Sequence, residues 1–425
     1  MPSAVALVDC NNFYVSCQRA FDARLIGRPV VVLSNNDGNI VARSDEIKAL
    51  GIENGAPLFK VRPLLERHGA AILSSNYELY NEMSNRVMTI LGDFSDEIEN
   101  YSIDEAFLRL HINPGESFAE VGHEIRRRVL KYTGIPVSVG FAETKTLSKI
   151  ANHHAKRSPK LKASGVLDLV RSPYQEIALA RVPAAAVWGI GPAYCEALEA
   201  RGIKTALDLR NAPDEWVRER MTVVGLRTVQ ELRGVPCIPL EITPPARKLL
   251  TVSRSFGGAT ENYDDLRAAI AFYIAQAAEK LRRQRLAAGT LSVFIETDRF
   301  KPEPQYANAV TLNVAPKSDS TIELRDLALS GLAKVFRTGF RYRRAGVTLG
   351  GLELVERVSM RLWENERYER HRRLMIAIDR VNAKYGRDTV RCGVFHTSGL
   401  WRTRFAKRSP RYTTRWSEIC DVMAR

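Results

Sequence analysis

Ala4-Val5-Ala6-Leu7-Val8 is an unbroken apolar run that stops at Asp9, the pattern of a short strand buried on both faces. A second run, Pro29 to Leu33, leads into Ser34-Asn35-Asn36-Asp37-Gly38, which has the residues of a tight turn, and Ile40-Val41-Ala42 returns as a strand. Helical spacing follows near 44–50 and over 77–92. A strand pair surrounds Tyr101 to Leu110, and Ile135 to Phe141 reads as one more strand. Thr144 to Ala155 is helical, and the basic stretch Lys156-Arg157-Ser158-Pro159-Lys160-Leu161-Lys162 ends it, with a boundary expected near 166. Residues 173–234 read as several short helices, and Pro236 to Pro245 as a connector.

Beyond the connector the pattern sharpens. Strand 249–256, helix 264–286, strands 290–298 and 308–314, helix 323–337 and strand 345–354 follow in order. Leu266, Ile270, Tyr273, Ala277 and Leu281 share one helical face, while Leu291, Val293 and Ile295 alternate as on a half-buried strand. The β-α-β-β-α-β order is that of a split βαβ sandwich. The chain is therefore predicted to be a multidomain α+β protein, with a less legible final 70 residues.

Composition narrows the function classes. The 425 residues allow two to four domains, and no apolar run approaches the roughly 18–20 residues of a membrane span. Six cysteines form no C-x-x-C pair and the histidines show no zinc spacing, so a reducing, cytoplasmic setting is expected. The net charge of +15 is unevenly spread. Residues 1–110 carry 10 basic and 15 acidic side chains, 111–355 carry 36 and 25, and 356–425 carry 17 and 8. An acidic start followed by a basic remainder permits a nucleic-acid partner.

The candidate chemistry begins with acids. Asp9 ends a buried strand, and Asp104-Glu105 lies in Tyr101-Ser102-Ile103-Asp104-Glu105-Ala106-Phe107. Neighbours on a regular strand point to opposite faces, so Asp104 and Glu105 converge only at a bend. Were Asp9 on the adjacent strand, three carboxylates would meet, an arrangement that needs cations. Oxygen ligands suit Mg²⁺, and two ions ~3.5–4 Å apart would activate an attacking 3′-oxygen and stabilise a leaving pyrophosphate. Spacing alone leaves a second reading open, in which these are ordinary surface or turn acids. Phe13 and Tyr14, four and five residues after Asp9, read equally as core aromatics or as a ring beneath a nucleotide sugar.

Asp9…Phe13-Tyr14, Pro29-Val30-Val31-Val32-Leu33-Ser34-Asn35-Asn36-Asp37-Gly38, Tyr101-Ser102-Ile103-Asp104-Glu105 and Lys145-Thr146-Leu147-Ser148-Lys149 together resemble the Y-family translesion DNA polymerases. Within them the chain is most similar to the UmuC group, the catalytic subunits of DNA polymerase V and their plasmid-borne relatives. Ser409-Pro410-Arg411-Tyr412-Thr413-Thr414-Arg415 resembles that group in particular.

The resemblance implies a right-hand polymerase. Its palm would be 1–20 and 76–166, its fingers 21–75, its helical thumb 167–236 and its little finger 246–355. A basic C-terminal extension, 356–425, would follow. It implies that Asp9, Asp104 and Glu105 are catalytic and hold two Mg²⁺ ions, with Mn²⁺ as a substitute and the Cys10 carbonyl as a further ligand. Tyr14 would be the steric gate against ribonucleotides, with Phe13 beside it. Arg43, Lys48 and Lys149 would bind the incoming dNTP, and Val41 and Ala42 would form a small roof over the nascent pair. Asp45 departs from the pattern, since it stands where many members carry a phosphate-binding tyrosine, and a carboxylate repels phosphate.

Trp188-Gly189-Ile190-Gly191-Pro192 resembles a helix-hairpin-helix element, in which Gly189 and Gly191 let the backbone approach a DNA phosphate. Arg254, Arg299 and Lys301 lie at strand positions or ends suited to phosphate contact. Leu362 and Trp363 stand where the group carries a sliding-clamp peptide, here without its leading glutamine. The implied partners are primer-template DNA, a UmuD′-like dimer and a RecA filament, with no membrane. The expected function is error-prone, template-directed translesion synthesis of the SOS type by a cytoplasmic, nucleoid-associated enzyme. Two rivals remain at this point, a two-metal nuclease or transposase-like enzyme and a non-catalytic DNA-binding scaffold.

Overall fold

The computed structural model describes residues 2–113, 115–358, 365–386, 388–392 and 403–419. The chain folds as two units, 1–245 with 406–425, and 246–405. In the first unit β1 (Ser3–Cys10) is followed by α1 (Phe13–Phe21), β2 (Val30–Leu33), β3 (Ile40–Arg43), α2 (Asp45–Ala49), α3 (Leu58–Arg67) and β4 (Ala71–Ser74). Next come α4 (Tyr77–Gly92), β5 (Ile98–Asn100), β6 (Glu105–His111), α5 (Phe118–Thr133), β7 (Val137–Ala142), α6 (Lys145–Arg157) and β8 (Val166–Asp168). A helical stretch follows, with α7 (Gln175–Ala180), α8 (Pro192–Ala200), α9 (Ala206–Arg210) and α10 (Asp214–Leu232), the last interrupted at Thr222.

The apolar run at the start becomes the central strand of a five-stranded sheet, ordered β5-β6-β1-β7-β8. It is buried from Ala4 to Cys10 because both of its faces are covered. Ala4, Ala6, Val8 and Cys10 share a core with α4 and α5, whereas Val5 and Leu7 face the other way, with Phe107 and Leu240. Helix α6 packs on β1 and β7, and Gly140 permits it: a Cβ there would lie 2.2 Å from the Asn152 nitrogen and 2.6 Å from the Ser148 oxygen. A smaller sheet, β3-β2-β4, packs with α2 and α3 around Val31, Leu33, Ile40, Ile47 and Leu65.

The second unit has the predicted β-α-β-β-α-β order: β9 (Leu250–Thr260), α11 (Tyr263–Arg283), β10 (Leu286–Thr297), β11 (Ala307–Ser318), α12 (Thr321–Val335) and β12 (Tyr342–Gly350). The sheet is antiparallel in the order β11-β10-β12-β9, with the two-residue β13 (Glu353–Leu354) paired to β10. The expected core residues of helix and strand, from Leu266 to Leu281 and from Leu291 to Ile295, are all buried there. Helix α13 (Asn365–Tyr385) joins this unit through an ion pair of Arg282 with Asp379 at 2.7 Å.

The basic C-terminal region is not one body. Residues 365–392 belong to the second unit, while 406–419 fold onto the first. There Arg408 bridges in parallel to Ser74 on the free edge of β4, and Lys407 and Ser74 exchange hydrogen bonds at 2.8 and 3.0 Å. Asn76, buried at the N-terminus of α4, donates to the Ser409 and Pro410 carbonyls, and Tyr412 stacks on Phe21 with ring centres 5.0 Å apart.

Candidate active site

Strand register explains why the acids and α6 meet. Asp9 pairs directly with Glu105 across β1 and β6, and in an antiparallel pair opposed residues share a face. By the same alternation that face is the one of Val5, Leu7 and Phe107, the side that α6 covers. Helix α6 begins at its N-cap Thr144, whose hydroxyl accepts from Leu147 N at 3.2 Å. Lys145, Lys149, Asn152 and Lys156 then fall on one helical stripe. Lys149 donates to Glu105 Oε2 at 2.8 Å, Lys156 pairs with Asp9, and Asn152 ties the stripe to the Leu7 and Ser138 carbonyls.

The chain bends at Ser102-Ile103-Asp104 just before β6, so Asp104 and Glu105 escape strict alternation. Asp104 Oδ1 accepts from Ser102 Oγ at 2.7 Å, and its carbonyl accepts from Cys10 N at 2.8 Å. Burial pushes the Asp9 carboxyl up to about 7 against the pull of Lys156, and its hydrogen bond with Glu105 adds to the rise. Glu105 resists its own burial and stays below the usual range, held there by the hydrogen bonds with Asp9 and Lys149. Two facing carboxylates, each already paired with a lysine ammonium, offer the hard oxygen ligands that suit a divalent cation. Cys10 would contribute only its carbonyl, because burial drives its thiol well above its ordinary value. Among the described residues no three His, Cys, Asp or Glu groups converge tightly enough to enclose a metal, since Asp104 is turned to Ser102.

Asp9 lies between two lobes of a cleft. The smaller, of about 420 Å³, is lined by Asp9, Phe13, Tyr14, Val41, Ala42 and Asp104, among others. Tyr14 lies nearly parallel on Tyr80, with centroids 4.1 Å apart and planes at 11°, and Tyr77 meets both edge-on. Gln18 fixes Tyr80 through a buried hydrogen bond of 2.9 Å to its hydroxyl. Burial pushes the Tyr14 phenol up to about 12, so the ring is neutral. Phe13, by contrast, is a core residue.

The larger lobe, of about 870 Å³, is lined by the cations Arg43, Lys48, Lys149, Lys156, Arg157 and Lys162 and the acids Asp9, Asp45 and Glu105. Arg43 reaches the Ile52 carbonyl, and Lys48 bonds Asn12 and Asp45. Lys156 and Lys162 are not among the residues singled out from sequence. The stripe Lys149, Lys156 at seven-residue spacing on a helix was the available signal for the first; the second was visible only as one lysine of the basic stretch 156–162. Lys149 also lies 4.5 Å from the Tyr101 ring centre and 5.7 Å from that of Trp188, whose indole donates to the Tyr101 hydroxyl at 3.0 Å.

Trp188 leads into the glycine turn. Gly189 has φ +89°, a conformation side chains avoid, and Gly191 is the N-cap of α8, with Pro192 in its first turn. In the second unit Arg299 and Lys301 are exposed at the β10–β11 hairpin. Arg254 sits differently: it shares the face of buried Leu250, Val252 and Phe256, opposite buried Ala345, and so lies on the helix side beside Tyr273. Arg344 lies on the open face, bonded to Ser253 Oγ at 3.2 Å and placed over the Phe294 ring. Leu362 and Trp363 lie outside the described residues.

Comparison with known proteins adds relatives to this geometry. Residues 8–153 match the profile of the impB/mucB/samB family, 247–362 match its C-terminal domain, and 372–422 match a domain of unknown function. Protein UmuC of Salmonella typhimurium is 42% identical over 420 residues, covering 98% of this chain and 99% of that protein. DNA polymerase IV of Bacillus velezensis is 24% identical over 397 residues, 91% of each chain. The solved structure of a Y-family DNA polymerase chimera superposes with a TM-score of 0.68 at 20% identity, covering 83% of this chain and 99% of that one.

Proposed function

The chain belongs to the impB/mucB/samB family, and from that membership we propose how it carries out template-directed translesion DNA synthesis. The reaction joins the 3′-hydroxyl of a primer to the α-phosphate of a dNTP and releases pyrophosphate. Asp9, Asp104 and Glu105, with the Cys10 carbonyl, would hold divalent cations, Mg²⁺ or Mn²⁺, whose chemistry when bound is to activate the 3′-oxygen and neutralise the leaving group. Asp9, buried, and Glu105, half-buried, supply opposed carboxylates on one sheet face, and Asp104 joins them by leaving Ser102. Lys149 and Lys156, which pair with these acids, exchange a carboxylate for phosphate oxygens when the triphosphate arrives, and Lys48 meets its far end.

Tyr14, flat on Tyr80, lies under the sugar and leaves no room for a 2′-hydroxyl. Val41 and Ala42 roof the base pair with small apolar groups, which admits damaged bases and selects weakly among correct and incorrect ones. The glycine turn at 189–191 and the exposed Arg299 and Lys301 hold the duplex by its phosphates, without sequence preference. A UmuD′-like dimer, a RecA filament and, through Leu362 and Trp363, a sliding clamp are its partners, and it works in the cytoplasm on nucleoid DNA. Among the described residues no helix is long and apolar enough to cross a membrane.

What carries this reading is one observation: Asp9 is shared by a lysine-lined lobe and by a lobe floored by a stacked tyrosine. A nuclease has no need of the second. Primer extension tests it. Asp104→Ala and Glu105→Ala should each lower extension by at least about a hundredfold while DNA binding persists; full extension by both variants would overturn the mechanism.

A further inference from the structure

Asp45, taken alone, is a carboxylate that repels phosphate, and the sequence leaves its effect on the triphosphate site open; its surroundings decide it. Its Oδ1 accepts from Asn12 Nδ2 and from Lys48 Nζ, both at 3.0 Å, and its Oδ2 accepts from Lys162 Nζ at 3.0 Å. Lys48 also donates to Asn12 Oδ1. Partial burial works against the charge, but these hydrogen bonds dominate and hold the carboxyl far below the usual carboxylate range. Asp45 therefore stays ionised at any pH at which a polymerase works.

We infer that Lys162 is a triphosphate-binding residue and that Asp45 is the positioning residue that brings it, together with Lys48, to the wall of the larger lobe. The inference rests on the polymerase reading above and deepens its phosphate site. One carboxylate between two ammonium groups leaves a local charge of +1, so the site keeps its attraction for a polyanion despite the acid within it. Each ammonium has three donors. Lys48 uses two of them within the cluster and Lys162 uses one, which leaves three N–H groups for phosphate oxygens. Without the carboxylate the two like charges would repel, and the flexible Lys162 side chain, 62% exposed, would have nothing to order it.

The backbone supports the placement. Lys162 lies in the turn after α6, where its own N–H bonds the Ser158 carbonyl at 2.8 Å and Gly165 N bonds the Leu161 carbonyl at 2.6 Å. On the other side Asn12, also a partner of Asp45, lies between Asp9 and the Phe13-Tyr14 pair. One carboxylate thus links the strand end that bears Asp9, the helix that bears Lys48 and the loop that bears Lys162.

Single-nucleotide insertion by the full chain tests this, because the two accounts of Asp45 predict opposite signs. If Asp45 positions lysines, Asp45→Asn raises the KM for dNTP although it removes a negative charge. Lys162→Ala raises KM by about tenfold, the worth of one charge-assisted contact, with kcat within about twofold. Lys162→Arg restores most of the loss, and the Asp45→Asn/Lys162→Ala pair is no worse than the poorer single variant. An unchanged or lowered KM in Asp45→Asn, or an unchanged KM in Lys162→Ala, would overturn the inference and leave the polymerase reading intact. A wild-type chain that inserts no nucleotide would count against that reading instead. In that event acetylation of Lys162 Nζ, followed by mass spectrometry with and without dGTP, decides the binding question: slower acetylation supports it, an unchanged rate overturns it.

Discussion

Lys145 and Glu99 form a buried ion pair that the chemistry does not use, and its removal should be costly. Their side chains are 4% and 7% exposed, and Lys145 Nζ donates to Glu99 at 2.9 and 2.6 Å and to the Pro239 carbonyl at 3.3 Å. The same ammonium lies 4.8 Å from the Phe107 ring centre and 5.6 Å from that of Trp188. Glu99 also accepts from Glu241 N at 2.9 Å, so the pair pins the 236–245 connector to the sheet. In Lys145→Met the methylene stem survives but Glu99 is left as an unpaired buried charge, a loss of about 3–5 kcal/mol. Against a first-unit stability on the order of 5–15 kcal/mol this is about a fifth or more. In Lys145→Met/Glu99→Gln no buried charge remains. The double variant should recover about 2–3 kcal/mol of the summed single losses, as expected for contacting residues. Urea unfolding followed by tryptophan fluorescence reads this directly, since Trp188 sits against Lys145. Single variants that each lose under about 1 kcal/mol, or losses that simply add, would refute the account of a desolvated, mutually dependent pair.

The other predictions concern the gate and the C-terminal segment. Tyr14→Ala removes the ring that Tyr80 supports, and discrimination against ribonucleotides in single-nucleotide insertion should fall by at least about tenfold; unchanged sugar selectivity would refute the gate. Tyr412→Ala removes the stack on Phe21, and limited trypsin digestion at Lys407 and Arg408 should become several-fold faster, as local opening grows easier. A cleavage rate equal to that of the wild type would show that the stack does not hold 406–419 in place.

Much of this protein was legible in its sequence, because hydrophobic periodicity is a local signal. The bend at Asp104 entered only as a condition for Asp104 and Glu105 to converge, whereas the strand that carries Asp9 near its end and the β-α-β-β-α-β unit with its core faces follow from residues a few positions apart. Partners distant in sequence do not. The register that sets Asp9 opposite Glu105, and so turns both toward the lysine stripe of α6, is fixed by how whole strands pair. Alternation along β9 carries Arg254 to the helix side, while Arg344 lies on the open face, a one-residue matter that strand identity alone leaves open. Asp45, read in isolation, is a repulsive carboxylate; Lys162 and Asn12 beside it reverse that reading. The basic tail looked like a separate extension, yet 406–419 lie on the edge of β4 and on Asn76. Periodicity determines which residues each element buries; which charges then face one another is decided only when the elements pack, since an ion pair depends on distance in space and not on spacing in the chain.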